Sequence, residues 1–111
     1  MPTIAEDNEL LTQVVHFEVE PDKQDVLVAA IAAEVERWVR HRPGFVSSTL
    51  HGSEDGRHVL NYAQWRSRKD FEAFGRDPES HKLGEAIRAV GPLRGPEGVA
   101  YRVARSIEAA R

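Results

Sequence analysis

The chain has no cysteine among its 111 residues. Disulfides, thiolate-bound metals and a cysteine nucleophile are excluded together. It has no surplus of positive charge either: 15 Lys+Arg face 18 Asp+Glu, a formal net charge of −3, and the pI lies near 5.9. With no basic cluster, no nucleic-acid partner is expected. No apolar run approaches the roughly 18 residues of a membrane span, and the first ten residues show no signal-peptide pattern. No membrane association and a cytoplasmic location are therefore expected. The strand-to-helix turn Glu20-Pro21-Asp22 contains no glycine to cradle a phosphate, which argues against flavin or nicotinamide. No serine sits in a GxSxG. The histidines show no HxH, HxxxH or HExxH spacing, so no metal site is expected.

What is present is an ordinary globular composition, 41% apolar and 30% charged. The length suits one domain, expected over residues 10–106 between flexible tails at 1–9 and 107–111. Its core is small, and burial against a second subunit would help it.

Leu11, Val15, Phe17 and Val19 alternate with polar residues, the period of a strand. From Asp22 to His41 the period becomes helical, with Leu27, Ile31, Val35 and Trp38 on one stripe. Arg42-Pro43-Gly44 stops that helix. Strands follow over 45–53 and 57–66. Ser67 to Asp70 is a capping box opening a short helix that carries Phe71 and Phe74. Asp77-Pro78 starts another helix, running to Val90. Residues 91–96 form a rigid connection, and Val99, Tyr101 and Val103 alternate in a last strand. The order β-α-β-β-α-β predicts an α+β, ferredoxin-like fold: a four-stranded antiparallel sheet with helices on one face. The other face also carries apolar residues, so two sheets are expected to pack together in a homodimer.

Asn61 stands out, because asparagine is depleted in strands. It shares a strand face with Val59, Ala63 and Trp65, so an amide, a small residue and an indole lie in a row. That leaves room for a flat ligand. The simpler alternative has Asn61 bonding a helix end and Trp65 filling the core. His51 joins this face or the opposite one according to the hairpin. A two-residue Asp55-Gly56 turn turns it away from Asn61. A three-residue loop, with Gly56 left-handed, places Phe45, Ser47, Thr49 and His51 on the Asn61 face. The second is preferred here because it gathers the polar groups.

The turn Arg42-Pro43-Gly44-Phe45, the stretch Asn61-Tyr62-Ala63-Gln64-Trp65-Arg66-Ser67 and the Phe/Ala helix after it resemble the antibiotic-biosynthesis monooxygenase family of dimeric α/β barrels. The nearest likeness is to its small quinone-forming enzymes of aromatic polyketide pathways, the actinorhodin type. It runs from about Leu11 to Tyr101. The resemblance implies a monooxygenase with no metal, flavin or other cofactor, using molecular oxygen to oxidise a phenolic ring of a small aromatic polyketide to a quinone. It implies Asn61, Trp65 and His51 as catalytic residues, with Phe45, Phe71, Phe74 and Arg88 against substrate. Where those enzymes carry a tyrosine and an arginine, this chain has Phe71 and Gly84, with Arg88 one turn later. Two other readings share the superfamily. One is haem degradation, with His81 as axial ligand; the other is a non-oxidative cyclase or ligand-binding barrel.

Overall fold

The computed structural model describes residues 2–6 and 9–110. The alternating segment forms β1 (Leu11–Glu18), and Pro21 then opens a 3-10 turn, Pro21–Lys23, that leads into α1 (Gln24–Arg37). The helix ends four residues before the expected His41. Trp38 leaves the helical path (φ −141°), and Val39–His41 make a second 3-10 turn. Consecutive helical residues point about 100° apart. The break lets Trp38 and Val39, neighbours in sequence, both be buried.

β2 (Phe45–Gly52) and β3 (His58–Trp65) form the expected hairpin. Gly44, which precedes it with φ +83°, admits no side chain, since a Cβ there would overlap the Asp70 carboxylate. Ser67 Oγ accepts from Asp70 N at 3.1 Å, the expected cap of α2 (Arg68–Gly75). The next helix, α3 (Ser80–Ala89), starts two residues later than expected. Asp77 instead caps the turn before it, accepting from Glu79 N at 2.8 Å and pairing with Arg42 at 2.6 Å. β4 spans Arg94–Tyr101, so the expected connection at 91–96 is already strand from Arg94, and Val103 lies beyond its end.

The sheet order is β2-β3-β1-β4, antiparallel throughout, which is the ferredoxin-like arrangement. Leu27 and Val59 are fully buried and, with Phe17, Ile31, Ile87 and Val90, form the core between sheet and helices. Burying each such side chain contributes about 1.5–3 kcal/mol. The opposite sheet face carries Val14, His16, Leu60, Tyr62, Val99 and Tyr101. At one end of that face Gln64 is fully buried; it accepts from Thr3 N and donates to Thr3 O, both at 2.7 Å. The amino-terminal segment is thereby held against the sheet.

Candidate active site

The strand registers converge on Ala63. It lies opposite Gln13 of β1 on one side and Ser48 of β2 on the other. Along β3 it is flanked by Asn61 and Trp65, two residues away in each direction on the same face. A methyl group is thus surrounded by two amides, a hydroxyl and an indole. Above this floor is a cavity of about 220 Å³, walled by Val35, Phe45, Phe71, Phe74, Leu83 and Ile87 among others. Among the described residues, no side chain lining it is ionisable.

Asn61 Oδ1 accepts from Ser48 Oγ at 2.7 Å. Its Nδ2 has no hydrogen-bond partner among the described residues. Gln13 owes its placement to Gly98: a Cβ on that glycine would stand 2.6 Å from Gln13 Nε2. Trp65 is 2% exposed. Its ring stacks on Phe74 at 4.9 Å and meets Phe45 edge-on at 5.4 Å and Phe71 at 6.1 Å. Trp65 is both a core residue and a wall of the cavity, so for it the two alternatives drawn from the sequence are not exclusive; the helix-end partner considered for Asn61 is replaced by Ser48 of β2. Trp65 Nε1 finds no acceptor among the described residues.

Two candidates lie elsewhere. His51 pairs with Leu60, which puts it on the opposite sheet face from Asn61, exposed. The reason is the hairpin. Ser53 N bonds to His58 O, closing a loop of four residues, 54–57, rather than three. Asp55 supports that longer loop, accepting from Ser53 Oγ and Arg57 N. The register slips at Val46 instead, a bulge that returns Phe45 to the face of Trp65. Ser48 and Leu50 therefore face inward, in place of the expected Ser47 and Thr49. Arg88 is exposed and outside the cavity wall. Its guanidinium folds back over Gly84, with Nη1 3.1 Å from where a Cβ of that glycine would stand. Phe45, Phe71 and Phe74 are in the wall of the cavity. His81, the ligand required for haem degradation, is exposed and donates from Nδ1 to Pro78 O, away from the cavity. No three metal-ligating side chains converge among the described residues.

Reading the sequence did not single out Ser48 or Gln13 for the site. Gln13 had a signal, since it interrupts the apolar face of Leu11, Val15 and Phe17. Ser48 had none, because its face depends on the hairpin loop.

A family model described as antibiotic biosynthesis monooxygenase matches residues 10–86. The chain is 49% identical over 90 residues to the tetracenomycin-F1 monooxygenase of Streptomyces glaucescens, covering 81% of this chain and 80% of that one. Its structure superposes on the monooxygenase from the gene ActVA-Orf6 of Streptomyces coelicolor, solved in complex with nanaomycin D. The TM-score is 0.81 at 39% identity, over 90% of this chain and 92% of that one. SnoaB of Streptomyces nogalater, described as a cofactor-independent oxygenase, matches with a TM-score of 0.67 at 25% identity, over 88% and 96% of the two chains.

Proposed function

The chain belongs to the antibiotic biosynthesis monooxygenase family, and on that footing we propose that it oxidises a phenolic ring of a polycyclic aromatic polyketide to a quinone. Molecular oxygen is the co-substrate, and no metal, flavin or other cofactor takes part. The observation that carries the reading is the cavity itself: Asn61 and Trp65, each with a side-chain N–H that bonds to no described residue, line it on either side of Ala63 among aromatic and aliphatic walls. SnoaB, described as cofactor-independent, supports the chemistry. The bound nanaomycin D of the ActVA-Orf6 protein supports the substrate class.

The electrons come from the substrate. An ionised phenol gives its ring carbon carbanion character, and that carbon bonds to oxygen, forming a substrate peroxide. Loss of the ring proton and cleavage of the O–O bond then leave the second carbonyl, and hydroxide departs to become water. Phenol and O2 thus become quinone and H2O. The chain's part is to hold the ring over Ala63, keep water out through the hydrocarbon walls, and donate from Asn61 and Trp65 to the oxygen that gains charge. No described wall residue is ionisable, so the anion arises from the substrate's own acidity. The chain acts as a homodimer, with the open sheet face against its copy; Val99 and Tyr101 there are 46% and 53% exposed.

Oxygen uptake with an anthrone-like phenol, in the presence of a metal chelator, tests the reaction. One O2 consumed per quinone formed is the expected result. Binding without uptake assigns the cavity to a cyclase or passive carrier instead.

A further inference from the structure

An amide has two ends of opposite function: the oxygen accepts and the nitrogen donates. The end that Asn61 turns to the cavity decides whether it stabilises or repels an oxygen that gains negative charge. Nothing in Asn61 itself makes that choice. Ser48 stands opposite Ala63, diagonally across from Asn61, and its Oγ lies 2.7 Å from Asn61 Oδ1. A carbonyl oxygen only accepts, so the serine proton is spent on it.

Turned end for end, the amide would donate to Ser48 Oγ and present its carbonyl to the ligand. The serine proton would then need a new acceptor. The other side-chain carbonyl in the wall belongs to Gln13, which is on β1, the far side of β3 from Ser48. Leaving a polar hydrogen unpaired against apolar walls is costly. With a charge-gaining oxygen in the cavity to accept from Nδ2, the observed arrangement pairs both groups, whereas the reversed one strands the serine proton and turns a carbonyl toward that oxygen.

We propose that Ser48 is the positioning residue of the site, fixing the Asn61 amide with its N–H pair toward the reacting oxygen. This rests on the donor role of Asn61 given above. Ser48 itself need not touch the substrate's reacting atoms. Its effect passes through Asn61, and that dependence separates it from a residue that merely shapes the wall.

The test uses Ser48→Ala, Ser48→Thr, Asn61→Ala and the double variant Ser48→Ala/Asn61→Ala, each checked by thermal melt and assayed for oxygen uptake. Ser48→Ala is expected to lower kcat about tenfold, with KM within about twofold. Ser48→Thr, which keeps the hydroxyl, recovers most of the rate. The double variant is no slower than Asn61→Ala alone. A wild-type rate in Ser48→Ala overturns the proposal, and so does a loss of the same size with and without Asn61, or a Ser48→Thr as slow as Ser48→Ala. If the unmodified chain consumes no oxygen, the proposed reaction fails separately. The contact is then read from the Asn61 side-chain amide resonances in 1H–15N spectra. Movement of that pair in Ser48→Ala with return in Ser48→Thr supports the proposal, and resonances unmoved by Ser48→Ala overturn it.

Discussion

Trp65 and Phe74 stack with 4.9 Å between ring centroids and 27° between their planes, which ties the strand bearing the polar floor to the helix that closes over it. Replacing Trp65 therefore has two effects. Trp65→Phe is expected to cost about 1–3 kcal/mol of stability and, through the lost indole N–H, about tenfold in turnover. Asn61→Ala is expected to lose a similar factor in turnover while its melting temperature hardly moves. Thermal melts beside oxygen-uptake rates check both. An Asn61→Ala variant that is folded and fully active removes the amide from the mechanism.

Ala63 offers a cleaner separation of fold from function. Ala63→Leu pushes a larger side chain into existing space rather than into a packed core, so the melt should hold or rise. Turnover should fall below detection, because the ring loses its seat. Binding of a quinone product, followed by quenching of tryptophan fluorescence, should fall with it.

His51 is expected to be dispensable. On the far face of the sheet it reaches no wall residue, so His51→Ala should keep the wild-type rate. The pH profile of turnover should follow the ionisation of the substrate's phenol. A halogenated analogue with a more acidic phenol should shift the rising limb to lower pH by the same interval. A limb that stays fixed between the two substrates would point to an enzyme group instead.

Part of the acid stability resides where the end of α1 meets the turn before α3. The backbone N–H of Glu79, and after it the Arg42 guanidinium, holds the Asp77 carboxyl below the usual carboxylate range. Arg37 does the same for Glu34, against the opposing effect of burial, and the Trp38 indole N–H lowers it further by a lesser amount. A carboxyl whose folded pKa is depressed adds stability that is complete above its unfolded pKa and is lost as pH falls through the folded one. The melting temperature should therefore begin to drop near about pH 4 and continue downward. Asp77→Asn should flatten that limb. Arg42 also lies 5.0 Å over the Trp38 ring, so the acid transition should register in tryptophan fluorescence.

The open sheet face should meet its copy in solution. Sedimentation at micromolar concentration is expected to give twice the 12.5 kDa chain mass. Val99→Glu, which sets a charge on that face, should shift the protein toward monomer.

The fold was legible because its signals are local. Alternation over Leu11–Val19, the helical stripe through Leu27 and Ile31, and the Ser67–Asp70 cap each act within a few residues. Asn61 and Trp65 were legible for the same reason, since two residues four apart on a strand share a face whatever the strand pairs with. His51 and Ser48 were not. Their side is decided by whether the hairpin loop holds three residues or four, and one residue of slip reverses every side chain. The stabilising Asp55 contacts come from side-chain geometry that spacing does not encode. The end of α1 was missed because burying Trp38 and Val39 together outweighs continuing the helix.

The uncharged walls of the cavity bear on how this chain can diverge. Exchanging Val35 or Leu83, which are only partly buried, for another hydrocarbon reshapes the space without stranding an ionic partner, so each such step costs packing alone. Lineages can drift toward broader or narrower substrates by ordinary point mutation while the amides and indole around Ala63 stay in place. A chamber built on a charged dyad lacks that freedom, because each wall change near it also disturbs a titration.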